Sequence, residues 1–154
     1  MEIADLLSPA SVVPNLRVAA KKQLLQELAK RAASLVGLHE RTIFETLLER
    51  ERLGSTGIGN GTAVPHGRLP GLPRIFGLFA RLEKPIDFEA IDDRPVDLIF
   101  LLLTPDDAGA DHLKALASIS RLLRDRVVCE KLRGTDQAEA LYALLTDRTT
   151  SHAA

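Results

Sequence analysis

Apolar positions recur with helical spacing early in the chain. Between Ala20 and Val36, Leu24, Leu25, Leu28, Ala32, Leu35 and Val36 fall on one face of a 3.6-residue period. Lys21, Lys22, Gln26 and Lys30 lie mostly off that face, and Gly37 supplies a stop. A second helix is predicted from His39 to Arg52, with a stripe of Ile43, Phe44, Leu47 and Leu48 and an end at Gly54.

The helical period then disappears. Residues 54 to 68 read GSTGIGNGTAVPHGR, five glycines in fifteen residues. Asn60-Gly61 marks a tight turn, Thr62 to Val64 suits a short strand, and Pro65 disfavours helix around it. Two further strands follow: Arg74 to Leu82, of mixed polarity, and Pro95 to Leu103, nearly all apolar and therefore expected at the centre of a sheet covered on both faces. In the last third, Asp111 is placed to cap a helix through Leu123. Val127 to Leu132 forms a short helical piece ended by Gly134, and Thr135 or Asp136 can cap a final helix to about Leu145. Helices flanking a strand-rich middle predict an α/β layered domain.

The totals narrow the function classes. A chain of 154 residues has the usual size of one domain, and 45% hydrophobic with 27% charged residues is ordinary globular composition. The net charge of −1 gives no overall pull toward nucleic acid or a membrane surface, and 4% aromatic residues without tryptophan suggest no base-stacking platform. The amino-terminal MEIADLLSPASVVPN does not read as a signal peptide, and no apolar run is long enough to insert in a bilayer. Cys129 is the only cysteine, so no intramolecular disulfide can form. A cytoplasmic location is expected. No CxxC or HxxxH spacing points to a metal, and no Gly-Lys-Ser/Thr follows the glycines as in a nucleotide loop, so neither metal nor cofactor is expected.

The candidate chemistry converges on His66. It follows Pro65, so extended backbone presents it, and Gly67 beside it adds no bulk. Glycines nearby permit runs of exposed N–H groups that form an anion-binding concavity. A neutral imidazole is a nucleophile near pH 7 and can accept a phosphoryl group. Arg50 continues the apolar stripe of its helix, three after Leu47, and should point inward, whereas Arg52 should be solvated. His112 heads a stripe with Leu116, Ile119 and Leu123, shortly after the apolar strand. Taken singly, each has a plainer reading: turn chemistry for the glycines, a helix-dipole partner for the arginine, a packed core or cap residue for His112.

The segment from Arg50 to Arg68, opening Arg-Glu-Arg-Leu and running through GSTGIGNGTAVPHGR, resembles the IIA domains of the fructose/mannitol type of the bacterial phosphotransferase system. Within them it is most similar to the nitrogen-regulatory branch. A second block, IDFEAIDDRPVDLIFLLLTP from Ile86 to Pro105 followed by His112-Leu113, resembles the same family. Thr62 and Val64 stand where that branch often has isoleucine, and Arg68 where lysine is frequent. The resemblance implies a mixed β-sheet sandwiched between helices in three layers, as in mannitol-type IIA, with residues 1–147 as a single type-2 IIA domain and 148–154 as a flexible tail. It also implies His66 as the phosphoryl acceptor at Nε2, His112 as the residue that orients or stabilises the phosphoryl group, and Arg50 as electrostatic support. The implied partners are an HPr-like phosphocarrier as donor, charged by an enzyme I from phosphoenolpyruvate, and regulatory target proteins. With no IIB, IIC or HPr-like domain attached, a regulatory output is expected; the alternative is a sugar-system IIA that passes its phosphate to a separate IIB.

Overall fold

The computed structural model describes residues 1–147; the tail expected at 148–154 lies outside the described residues. Among the described residues, five α-helices and six strands follow one another, with the strands grouped mainly in the middle. They are β1 (Val12–Leu16), α1 (Lys21–Val36), α2 (Glu40–Arg52), β2 (Gly57–Gly59), β3 (Thr62–Ala63), β4 (His66–Leu69), β5 (Phe76–Ile86), β6 (Val96–Pro105), α3 (Ala110–Arg124), α4 (Arg126–Arg133) and α5 (Ala138–Thr146). Two short 3-10 turns precede β1, at Ile3–Asp5 and Pro9–Ser11.

All six strands form one mixed sheet in the order β1-β5-β6-β3-β2. β5 runs antiparallel to β6, while β1 is parallel to β5. Along the other side of β6, β3 and β4 lie end to end, both parallel to it: Thr62 pairs with Leu98, and His66 with Leu102. The Val64-Pro65 step breaks them. Pro65 has no N–H to donate, but its carbonyl accepts from Leu102 N at 3.0 Å, so the ladder carries across the break.

β6 shows why the fold has three layers. Its odd positions Ile99, Leu101 and Leu103 enter one core with Leu24, Leu25, Leu28, Ile43 and Leu47 of α1 and α2. Its even positions Leu98, Phe100 and Leu102 enter a second core with Ile119, Leu122, Leu132 and Leu141 of α3, α4 and α5. An alternating strand whose two faces are both covered reads as a continuous apolar run, the pattern seen from residues 95 to 103. The mixed sheet between helical layers is the α/β architecture expected.

Local signals place most boundaries. Gly37 ends α1 in the left-handed region (φ 75°), its N–H bonding Ala33 O. Asn60 (φ 56°) and Gly61 (φ 79°) turn β2 into β3, as a two-residue hairpin with both central φ values positive requires. Asp125 caps α4 by accepting from the Val127 and Val128 amides. Three expectations differ. β1 was not anticipated, because Pro14 interrupts a short run; it is tolerated there because β1 is an edge strand. Gly109, not Asp111, is the N-cap of α3, and Asp111 sits in the first turn, where its charge complements the helix dipole. Gln137 is the N-cap of α5, while Thr135 and Asp136 stand two and one residues too early and instead accept from the backbone and side-chain nitrogens of Gln137. No helix among the described residues is long and apolar enough to cross a membrane.

Candidate functional site

His66 opens β4 beside β6, and its neighbours come from both helical layers. Gly67 faces α2: a Cβ there would lie 2.6 Å from Thr46 Cγ2, so the absent side chain lets α2 close onto the strand. Room beside the imidazole, the reason expected for this glycine, is therefore not what it provides. Adjacent strand residues point to opposite faces, so the His66 ring turns the other way, toward α3. There it meets His112, with ring centroids 5.7 Å apart and planes tilted by 58°. Arg50, from the last turn of α2, reaches round to place its Nε 3.3 Å from His66 Nε2. Three residues far apart in sequence thus share one locus, while Arg52 is exposed, as expected.

The hydrogen bonds define the state of the ring. His66 Nδ1 lies 2.7 Å from Val64 O. A carbonyl only accepts, so Nδ1 carries the proton, and in the neutral ring the lone pair is on Nε2. Arg50 Nε–H donates toward that lone pair, and Arg50 Nη1 donates to Gly54 O at 2.9 Å, which steers the guanidinium. Burial pushes the His66 pKa below its ordinary 6.5. The hydrogen bond to Val64 opposes this, the Arg50 charge adds to it, and Glu51 opposes it again. His112 is also lowered, by burial first, then by Arg68 and by His66 itself. Both shifts favour the neutral ring over the protonated one. His112 is nearly buried, with Nδ1 2.6 Å from Oγ1 of the fully buried Thr104.

The glycine-rich segment does not form the anion cradle expected of it. Four of its amides bond within the fold: Gly54 N bonds Glu51 O, Thr56 N bonds Glu51 Oε1, Gly57 N bonds Ser55 Oγ, and Asn60 N bonds Asp92 Oδ2. Its tip also lies at the wrong end of the molecule. The Gly61 carbonyl accepts from Asp97 N and Leu98 N, whereas His66 pairs with Leu102. Four to five residues of strand separate these points, roughly 15 Å at the usual rise. Of the glycines between residues 54 and 61, Gly54 is the one bonded to a site residue, through Arg50 Nη1.

Sequence reasoning missed three supporting residues. Glu51, adjacent to Arg50, is buried. It accepts from the Thr56 amide and hydroxyl and pairs with Lys21 Nζ at 3.0 Å. Lys21 also lies 4.5 Å over the Phe88 ring. Lys21 was assigned to the polar side of α1, yet its ammonium is folded inward. Glu51 had a legible signal, four residues after Leu47 on the buried stripe. Thr104 had a fainter one, a hydroxyl at the end of an apolar strand. Nothing in sequence flags Lys21.

The comparisons agree with this architecture. The family model described as phosphoenolpyruvate-dependent sugar phosphotransferase system, EIIA 2, matches residues 5–148. The nitrogen regulatory protein of Bradyrhizobium diazoefficiens is 59% identical over 145 residues, 94% of this chain and 95% of that one. That of Escherichia coli is 39% identical over 148 residues, 96% and 91% of the two chains. Among solved structures, nitrogen regulatory protein IIA-Ntr from Neisseria meningitidis superposes with a TM-score of 0.88 at 37% identity, covering 94% of this chain and 99% of that one. The mannitol IIA of Escherichia coli, at 20% identity and a TM-score of 0.76 over 90% and 98% of the chains, shares the fold. The chain belongs to the EIIA 2 family of the phosphoenolpyruvate-dependent phosphotransferase system.

Proposed function

We propose that the protein is a nitrogen-regulatory phosphocarrier that accepts a phosphoryl group on His66 Nε2 from an HPr-like donor and signals through partners that distinguish the two states. One observation carries the reading: Nδ1 of His66 is committed to the Val64 carbonyl while Nε2 faces a guanidinium. In the transfer, the Nε2 lone pair attacks the donor's phosphorus. The donor's P–N bond breaks, and its electron pair returns to the donor's ring. The His66 ring then carries Nδ1–H and Nε2–P together, with a formal positive charge that the Val64 carbonyl stabilises. Arg50 turns its N–H groups from the lone pair to the phosphoryl oxygens, and His112 offers a ring N–H when Nε2 holds its proton. Positioning and charge stabilisation are the main contributions to such a transfer.

The regulatory output is supported by relatives named nitrogen regulatory proteins that match nearly end to end. About two negative charges added at a half-buried ring would alter which protein surfaces can pack there. We place the protein in the cytoplasm, where such a donor is charged. The test is reconstitution with enzyme I, the HPr-like carrier and phosphoenolpyruvate, reading label on wild type and on His66→Ala. Label on the alanine variant at wild-type level would refute the assignment. Efficient onward transfer to a fructose- or mannitol-type IIB would instead favour the sugar-transport role that the family description names.

A further inference from the structure

We propose that the pole remote from His66 carries a second site, for a small phosphate-bearing ligand of the nucleoside polyphosphate class. A cavity of about 430 Å³ opens there, between the start of β6, the β2-β3 turn and the α3-α4 junction. That volume falls in the range of small-molecule sites. Four arginines line it: Arg94, Arg124, Arg126 and Arg133. Against them stand two carboxylates, Asp97 and Glu130, a local excess of two positive charges on a chain whose net charge is −1.

The arginines divide into one that is fixed and three that are available. Arg133 donates Nε and Nη2 to Asp97 at 2.9 to 3.0 Å, and Nη2 to the Asn60 carbonyl at 2.8 Å. The turn is shaped around it, for a Cβ at Gly61 would lie 2.5 Å from Arg133 Nη2. Arg124 and Arg126 form no ion pair with a carboxylate among the described residues, and Arg94 forms none within 4.0 Å, though its charge acts on the exposed Asp92 carboxylate; the one side-chain bond among them runs from Arg124 Nε to Ser120 O at 3.4 Å. Arginines lining one concavity suit phosphate oxygens, which guanidinium groups bind in pairs. Pro95 and Leu123 add apolar wall against which a base or sugar can rest.

This inference is independent of the chemistry at His66, and its test keeps the two apart. The full chain, labelled with ¹⁵N, is titrated with ATP, pyrophosphate and sulfate while amide shifts are followed. Saturable shifts are expected with ATP and pyrophosphate at residues 60–61, 94–97 and 124–133, and weaker binding with sulfate. Arg124→Ser with Arg126→Ser should lower the ATP affinity about tenfold or more, with unchanged melting temperature and unchanged phosphoryl acceptance at His66. The proposal falls if saturable shifts are absent or confined to the surroundings of residues 50, 66 and 112. It also falls if the double variant binds as wild type does, or if sulfate binds as tightly as ATP.

Discussion

Thr104 Oγ1 and His112 Nδ1 meet at 2.6 Å inside the molecule, the threonine without solvent exposure. β6 supplies the hydroxyl and α3 the ring, so the second histidine is held by a strand and a helix at once. If the hydroxyl donates to Nδ1, the ring proton is left on Nε2, the form that can donate to a phosphoryl oxygen. Thr104→Val keeps the shape and deletes the hydroxyl. It should change the ¹⁵N tautomer signature of His112 and slow phosphoryl acceptance about tenfold, with Thr104→Ser restoring both. An unchanged nitrogen spectrum would show that the hydroxyl does not set the tautomer.

The proposed acceptor ring, His66, has a predicted pH profile. Its pKa lies below the ordinary 6.5, chiefly through burial. Phosphoryl acceptance should therefore hold level through neutrality and decline only on the acid side of 6.5, as the Nε2 lone pair is protonated. Arg50→Gln removes a positive charge that favours the neutral ring. The midpoint should move upward, and the plateau rate should fall about a hundredfold. Titration of the His66 ring by NMR checks the midpoint apart from the kinetics.

The same shifts bear on stability. For a histidine whose native pKa is depressed, the unfolded chain takes up the proton first as pH falls. Stability contributed at neutral pH is then lost on going down from the unfolded value near 6.5 through the lower native value. His66 and His112 both act in this sense. Urea melts at pH 7.0 and 5.5 should show the wild type losing more stability over that step than a His66→Gln, His112→Gln variant does.

Gly67 and Thr46 offer a test of packing. Gly67→Ala sets a Cβ 2.6 Å from Thr46 Cγ2, and should cost about 1–3 kcal/mol in denaturant unfolding. Thr46→Ser deletes that methyl and keeps the hydroxyl, so the double variant should recover most of the loss. Simple additivity of the two changes would argue that the strain lies elsewhere.

Glu51→Gln probes the support beneath Arg50. Its carboxylate, 3% exposed, is paired with a Lys21 side chain that is 15% exposed. Removing that charge leaves the largely enclosed Lys21 with only the exposed Glu89, 3.6 Å away, and should cost about 1–3 kcal/mol, measured by urea unfolding. A loss below about 0.5 kcal/mol, the scale of an exposed pair, would count against this reading.

How far the sequence could be read depends on the kind of information each element carries. α1, α2 and β6 were legible because periodicity and apolar runs are local patterns, and burial of Leu28, Leu47 and Leu101 obeys them. Arg50 and His112 could be placed because each continues an apolar stripe. The glycine segment was misread for a physical reason. Composition reports conformational freedom, not which acceptor an amide finds. The partner of Asn60 N is Asp92, thirty-two residues later. Lys21 was hidden in the same way, since only tertiary packing brings Glu51 to it.

β4 has β6 as its one strand partner among the described residues, so the His66 imidazole rides on the rim of the sheet rather than within it. An incoming carrier can approach from the flank without prising apart any ladder. On the proposed reading, the speed of exchange would then be governed by how often two surfaces collide in register, and by the charges that guide them.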